Sequence, residues 1–247
     1  MIDQDSVGRI WATWVSGQRV LVAASAPEGR GFGPPTAMPG DAGTVTDDDI
    51  SSVVAFGGDR IGVMWTNQRT GAVTFAHRAD ASPPGTWDAF EVAAVGPGIA
   101  DDHLNLKAVH DQPGRVLAAA KTSLTGRAPL VHLLDREPVT GTWSSHPYGV
   151  GTDDQTRPLV LVDREHRTAH VVATEGGAGG PIGAKQAPLD ALAFAPGPGE
   201  VVMLDDDRPD LNNPTSTKQP LDATTGLVVV ATDDTTRRYW TAYRPLP

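Results

Sequence analysis

The segment of residues 101–115, DDHLNLKAVHDQPGR, concentrates side chains that could transfer protons. A carboxylate beside an imidazole orients the ring and makes it a stronger base. His103 with Asp102 or Asp101 is therefore a candidate general-base pair. Histidines beside aspartates in turns also occur without a catalytic role. The surrounding sequence pattern must therefore be considered before the pair is interpreted as catalytic.

The same layout recurs twice further along the chain, in DDQTRPLVLVDREHR (153–167) and NNPTSTKQPLDATTG (212–226). It belongs to a longer repeat in which a strand-like run rich in Val, Ile, Ala and Trp follows a turn. Repeats of about 40–55 residues built from short strands are typical of β-propeller blades. The residues that anchor the five runs are spaced by 51, 55, 52 and 59 positions, and they are Arg9, Arg60, Arg115, Arg167 and Gly226.

The repeat predicts an all-β protein, a β-propeller of about five four-stranded blades in a single domain. Helical periodicity is not sustained anywhere in the sequence. Met1 falls inside the innermost strand of the first unit, and the last unit ends soon after its third strand. Either the chain is a fragment of a larger propeller, which we favour, or its C-terminal segment pairs with the first unit. The predicted blades span residues 1–45, 46–98, 99–150, 151–204 and 205–247.

The composition narrows the range of partners. The 247 residues include no cysteine, which excludes disulfides and thiolate metal ligands. A formal net charge of −10 argues against nucleic acid and favours a cation, a neutral sugar or a basic partner. No apolar run approaches the ~20 residues of a membrane span, so membrane insertion is not expected, and the N-terminus does not read as a signal peptide. The abundance of Ala, Gly, Asp and Arg indicates a bacterial source.

A short motif containing a glycine and an aromatic residue follows the third predicted strand in three of the units. Its copies are SAPEGRGF (25–32), ADASPPGTW (79–87) and REPVTGTW (136–143). It resembles the Asp-box, or BNR repeat, of sialidase-like β-propellers, whose pattern is S-x-D-x-G-x-T-W. Asp80, Gly85 and Trp87 fit one copy, whereas the other two copies lack the aspartate. The resemblance implies a propeller fold and an association with polysaccharides. It also implies a location outside the cell or on its surface, if the full-length protein is exported.

In that family the Asp box is a turn device, so we interpret these aspartates as structural. The same interpretation covers the aspartates at the predicted hairpins, because an aspartate before a Gly turn usually serves the turn. These hairpin residues are Asp5, Asp111, Asp163 and Asp222.

Blade topology predicts where a ligand would bind. The loop before each innermost strand and the turn after each second strand lie at the same end of the blade, and functional residues concentrate in such loops. We call this end of the predicted propeller the Asp-rich mouth. It is predicted to contain the segments TDDD (46–49), ADDH (100–103), TDD (152–154) and DDDRPDLNN (205–213). Cationic side chains inside an acidic rim would suit a carboxylated sugar, and the alternative is that they pair with the rim or with water. The candidate ligand-binding residues are Asn105, Lys107, Asp153, Asp154, Glu175, Asn212, Ser216 and Lys218.

The acidic runs at the same mouth are candidates for a calcium site. Ca²⁺ takes several carboxylate and carbonyl oxygens as ligands. Asp47 and Asp48, with Asp101, could supply them, and so could the second run at 205–207. Neither run matches an EF-hand loop, and acidic surface turns are common without any metal.

Three functions therefore follow from the sequence. The first is binding of a glycan or another polar small ligand at the Asp-rich mouth. The second is a glycoside hydrolase or polysaccharide lyase, in which charge neutralisation and proton transfer would fall to His103, Asp102, Arg157 and Lys121. The third is a non-catalytic platform for protein interaction. The tyrosine–glutamate pair that a sialidase would need is not apparent, and the oligomeric state stays open.

Overall fold

The structure, a computed structural model, describes residues 1–83, 85–88, 90–204 and 210–247. In these ranges the chain forms nineteen strands in five antiparallel sheets and no α-helix. The first two sheets contain Ile2–Gln4, Ile10–Ser16, Arg19–Ala24 and Thr36–Ala37 (β1–β4), then Ser51–Phe56, Arg60–Asn67, Ala72–Ala79 and Glu91–Val95 (β5–β8). The third contains Leu104–Ala108, Val116–Lys121, Pro129–Arg136 and Trp143–Val150 (β9–β12). The last two contain Gln155–Asp163, Thr168–Glu175, Ile182–Pro188 and Glu200–Met203 (β13–β16), then Leu211–Thr215, Leu227–Asp233 and Arg238–Arg244 (β17–β19).

Consecutive strands are neighbours in every sheet, so each sheet is a meander. The turn between β2 and β3 illustrates the local rule. Ser16 pairs with Arg19, and both intervening residues, Gly17 and Gln18, have positive φ angles of 56° and 59°. Two-residue hairpin loops require this conformation because it matches the twist of the flanking strands.

The chain divides into two compact units, and the boundary between them crosses the third sheet. The first unit contains residues 1–117 and 134–144, and Val53, Ile61 and Trp65 lie in its core. The second unit contains residues 118–133 and 145–247, and its core includes Leu161 and Val229.

The strand β6 explains why the hydrophobic alternation in the sequence is weak. All of its residues from 61 to 67 are buried. A strand that is covered on both faces needs apolar or hydrogen-bonded side chains at every position, so a two-residue period does not develop. No helix among the described residues is long and apolar enough to cross a membrane.

The prediction that hairpin aspartates are turn devices is confirmed at three positions. One carboxylate oxygen each of Asp5, Asp163 and Asp222 accepts backbone N–H bonds from residues two to four positions later, at 2.8–3.1 Å. Asp80 is structural too, but it accepts from the backbone and hydroxyl of Ser6, at 3.0 and 2.5 Å. The Asp-box aspartate therefore joins the first two sheets of the first unit.

The fifth sheet has three strands among the described residues, and its register corrects the sequence alignment. The sequence repeats match Arg157 with Ser216 on the innermost strands. In the structure Leu211 pairs with Asp233 as Gln155 pairs with Glu175, so Arg157 corresponds to Asn213 instead. Arg157 and Asn213 share a positive φ of 53°, and each precedes a proline at a bulge.

Two candidate ligand residues are affected by this correction. The sequence repeat predicts Ser216 and Lys218 on the innermost strand, but β17 ends at Thr215 and both residues lie beyond it. The Ser216 hydroxyl donates to the carbonyl oxygen of Val228 at 2.5 Å. Proline lacks an N–H for the ladder, so pairing continues only briefly after Pro214.

The first testable prediction concerns Asp5, whose side chain is fully buried. Its second oxygen accepts from Arg9 Nε at 2.6 Å and from Trp11 Nε1 at 2.8 Å. Asp5→Ala would leave these donors without a partner, and we expect a loss of about 2–4 kcal/mol in the free energy of unfolding. Urea denaturation measures the change. Asp59→Ala, at the exposed hairpin of the second sheet, is the matched control and should change stability by less than about 0.5 kcal/mol. Equal effects of the two substitutions would contradict the role given to Asp5.

Candidate functional site

The predicted acid–base pair lies in the first unit, just before β9. His103 Nδ1 contacts Asp102 Oδ1, and both side chains are partly exposed. Asp101 Oδ1 accepts the backbone N–H of Asp102 at 2.8 Å. Asn105 is half-buried and Lys107 is buried on β9, two positions apart and therefore on the same face of the strand.

The structure gives the candidate calcium ligands other contacts. Asp47 accepts the backbone N–H of Gln18 at 3.2 Å, and Asp48 accepts from Gln68 Nε2 at 3.4 Å. Within the described ranges, no three histidine, aspartate or glutamate side chains converge on a common point that could hold a metal ion. The second acidic run, 205–207, lies outside the described residues. Calcium binding by Asp47, Asp48 and Asp101 stays a prediction.

In the second unit, the carboxylates predicted at the Asp-rich mouth are held by hydrogen bonds within the protein. Glu175 accepts from Gln155 Nε2 at 2.7 Å and from the backbone N–H of Gly199 at 2.8 Å. Asp153 and Asp154 each accept a backbone N–H, at 3.0 and 2.9 Å. Their local role is to fix the loops around the start of β13.

Glu175 also has a tyrosine neighbour that the sequence pattern did not reveal. Tyr148, on β12, is almost fully buried, and burial together with the negative charge of Glu175 raises the pKa of its hydroxyl. Lys185 Nζ lies 4.4 Å from the centre of the Tyr148 ring and donates to its carbonyl oxygen at 2.6 Å. A raised pKa disfavours the phenolate form that a tyrosine nucleophile would need.

The remaining predicted residues divide between the units. His103 and Asp102 belong to the first unit, and the other two candidate catalytic residues, Lys121 and Arg157, belong to the second. Asn212, also in the second unit, is buried and donates to Asp234 at 2.8 Å.

A pocket that sequence reasoning did not identify lies between the first and second sheets, within the first unit. Its volume is about 340 Å³, and we call it the tryptophan–arginine pocket after four of its lining residues, Arg9, Trp11, Arg78 and Trp87. The two indole rings stand 6.1 Å apart at an interplanar angle of 78°. The guanidinium carbons of Arg78 and Arg9 lie 5.2 and 5.7 Å from the Trp11 ring centre, as in cation–π contacts.

Arg78 is the unusual member of this pocket. Its side chain is buried, and it donates to two backbone carbonyls of its own loop, those of Ala79 and Ser82. It forms no ion pair with any residue in the described part of the chain. Burial and the nearby charge of Arg9 lower its pKa, which Asp80 and Asp5 partly offset.

At the junction of Glu91, in the second sheet, with Arg136, in the third, the charged side chains pair with each other, and both residues belong to the first unit. Arg136 donates to the two carboxylate oxygens of Glu91 at 2.6 and 2.8 Å, and Trp143 Nε1 donates to Glu91 at 2.8 Å. Burial alone would raise the pKa of Glu91, but hydrogen bonds from Arg136, His77 and Trp143 outweigh it and hold this pKa at about 2.

Comparison with known proteins defines the class of fold. No family model matches the chain, and neither does any curated protein sequence. Several solved structures resemble it. The fucose-specific lectin from Aleuria aurantia is 11% identical with a TM-score of 0.61, and the match covers 100% of this chain and 78% of that one. The endo-1,5-α-L-arabinanase from Thermotoga petrophila is 10% identical with a TM-score of 0.51, over 97% of this chain and 72% of that one.

A third similar structure is AofleA from Arthrobotrys oligospora, 12% identical with a TM-score of 0.57. The match covers 95% of this chain but 64% of AofleA, so the chain spans somewhat less than two thirds of that protein. The Aleuria aurantia lectin is a six-bladed β-propeller. At these identities the likeness establishes the fold alone, and the prediction of a β-propeller fold is confirmed.

The ionisation of Glu91 generates the second prediction. Its folded-state pKa of about 2 lies below the ordinary value of 4.5, so its contribution to stability is present above pH 4.5 and is lost as the pH falls towards 2. We expect the free energy of unfolding of the wild type to exceed that of Glu91→Gln by roughly 2–3 kcal/mol at pH 7. Near pH 2.5 the difference between the two free energies should be much smaller. Urea unfolding of both proteins across this range measures the difference. Glu28→Gln, at an exposed site, should show no such pH-dependent difference, and a constant gap for Glu91→Gln would refute the assignment.

Proposed function

We propose that this protein is a carbohydrate-binding β-propeller whose sugar site is the tryptophan–arginine pocket. The observation that carries the proposal is the placement of buried Trp11 and half-buried Trp87 beside the buried donor Arg78 in one concave site. Aromatic rings pack against the apolar C–H face of a sugar, while a planar guanidinium donates to its oxygens. Its 340 Å³ volume is at the lower end of the range for small-molecule pockets, which suits one or two sugar rings.

The related structures support the class of ligand. One is named as a fucose-specific lectin, and a single-residue mutant of the Aleuria aurantia lectin has been crystallised with α-methyl-L-fucoside. Another is an arabinanase, which is an enzyme of carbohydrate substrates. A fold that recurs among carbohydrate-recognising proteins makes a sugar the first ligand to test, although fold by itself does not fix function.

The Asp-rich mouth is a second proposed ligand surface. Its support is the position of Asn105 and Lys107 on one face of β9 beside His103. We rank it below the tryptophan–arginine pocket because Glu175 and Asn212, two of its predicted ligand residues, already hydrogen-bond within the protein. The sialidase-like character, the bacterial source and a location outside the cell or on its surface also stay proposals.

A glycoside hydrolase or polysaccharide lyase is the alternative function. It is favoured by the contact between Asp102 and His103, since a carboxylate-oriented imidazole is a common proton-transfer group. Lys121 and Arg157 would neutralise charge in this alternative. The two functions differ in whether a bound sugar is turned over.

The third prediction tests the sugar site itself. Trp87→Ala removes one aromatic wall, and we expect carbohydrate affinity to fall by at least about tenfold, because stacking of this kind contributes on the order of 1–2 kcal/mol. Binding is measured first on a glycan array and then by isothermal titration with the strongest hit, with methyl α-L-fucoside included as a probe. Tyr239→Ala removes an exposed aromatic ring from the second unit and should leave binding unchanged. Equal binding by wild type and Trp87→Ala would exclude this pocket as the site.

The fourth prediction separates the lectin from the hydrolase. A carbohydrate-binding propeller should release no reducing ends from arabinan or from the glycans it binds. Reducing-sugar assays over extended incubation measure this. Turnover that is abolished by His103→Ala, but retained in the control His110→Ala, would replace the lectin assignment with the hydrolase.

A further inference from the structure

Strand register identifies equivalent positions at three junctions between sheets. In the first sheet Thr36 of β4 pairs with Val22, in the second Glu91 of β8 pairs with Phe75, and in the fourth Glu200 of β16 pairs with Ala184. Val22 pairs with Thr13 and Phe75 with Met64, each four residues after its anchor arginine, whereas Ala184 pairs with Val172, five residues after Arg167. Thr36 and Glu91 therefore occupy equivalent positions, and Glu200 lies within one residue of that position in the fourth sheet.

An arginine faces this position from the third strand of the following sheet. Arg78 pairs with Ile61 as Arg244 pairs with Leu227, so these two arginines are equivalent, and Arg136 ends the corresponding strand β11. Arg136 bonds Glu91 at 2.6 Å, and Arg244 bonds Glu200 at 3.1 Å. Each of these two junctions lies within one unit and holds a glutamate–arginine pair.

The junction of the first and second sheets has no carboxylate at this position of the fourth strand, although Asp5 and Asp80 lie close enough to act on Arg78 electrostatically. Thr36 stands where the other two junctions have glutamate, and it lines the same pocket as Arg78. Arg78 is 2% exposed, so its positive charge is removed from water without the ion pair that its equivalents form. Arg9 does not supply a negative charge either, since it is a second cation that is paired with Asp5 at 2.6 Å.

We propose that the tryptophan–arginine pocket binds a sugar that carries a carboxylate, such as a uronic acid, and that this carboxylate takes the place of the missing glutamate beside Arg78. This inference rests on the proposed function and adds the chemical class of the sugar. A carboxylate matches the planar donor geometry of a guanidinium and forms stronger, charge-assisted hydrogen bonds than a sugar hydroxyl does. The two tryptophans hold the sugar ring, and the arginine selects its acidic substituent.

Thr36 offers a direct test, because Thr36→Glu would place in this pocket the same side chain that closes the other two junctions. Thr36 is exposed, so neither Thr36→Glu nor the matched control Thr36→Gln should disturb folding, which urea unfolding checks. The probes are the methyl glycosides of D-glucuronic and D-galacturonic acid beside methyl D-glucoside and D-galactoside, which differ in the carboxylate alone. Isothermal titration measures the affinities.

Wild type should bind at least one uronide at least tenfold more tightly than its neutral counterpart. Thr36→Glu should lose that preference by tenfold or more, whereas Thr36→Gln should keep it. Equal binding of uronide and neutral sugar, or binding only of neutral sugars on the glycan array, would overturn the carboxylate proposal and leave the carbohydrate site standing. A uronide preference unchanged in Thr36→Glu would overturn the placement beside Arg78. An array on which no glycan binds would remove the proposed function itself.

Discussion

The sheets of this protein are made of short strands, and they bury their apolar faces by packing on one another. A four-stranded sheet of short strands has too little apolar surface to be stable alone. The continuous burial of residues 61–67 in β6 is the direct result. Packing sheet on sheet also carries the ends of the strands, with their polar side chains, into partly dry surroundings. The chain therefore has to provide partners for those polar groups wherever two sheets meet.

The repeated arginine at the end of the third strand is a consequence of that constraint. At two junctions a glutamate from the preceding sheet neutralises it, and the pair ties adjacent sheets together. Taking a charge out of water is costly unless a partner compensates for it. Glu91 does so for the buried Arg136, whereas the Arg244–Glu200 pair is partly exposed. Arg78 is buried without an ion pair in the described part of the chain, at the junction that also presents two tryptophans.

The two candidate surfaces differ in whether their charged side chains already have partners within the protein. The loops of the Asp-rich mouth are rich in carboxylates, but Glu175, Asp153 and Asp154 accept hydrogen bonds that shape the loops themselves. Acidic residues near the ends of strands can thus serve the backbone rather than a ligand. The tryptophan–arginine pocket shows the opposite balance, with an arginine whose charge the described protein leaves without an ion pair.

The sequence by itself determined the class of fold, because an approximately 50-residue repeat of short strands and turn residues specifies antiparallel meanders. It also determined the roles of Asp5, Asp163 and Asp222, since an aspartate that precedes a turn interacts with amides only a few residues away. The sequence did not determine the strand register in the fifth sheet, because a bulge and a proline shift the pairing of β17 with β18 without altering the sequence pattern of the repeat. The tertiary structure alone decided the candidate site. Arg78, Trp11 and Thr36 are far apart in sequence, and each is unremarkable there; only the pairing of strands and the packing of two sheets place them around one pocket.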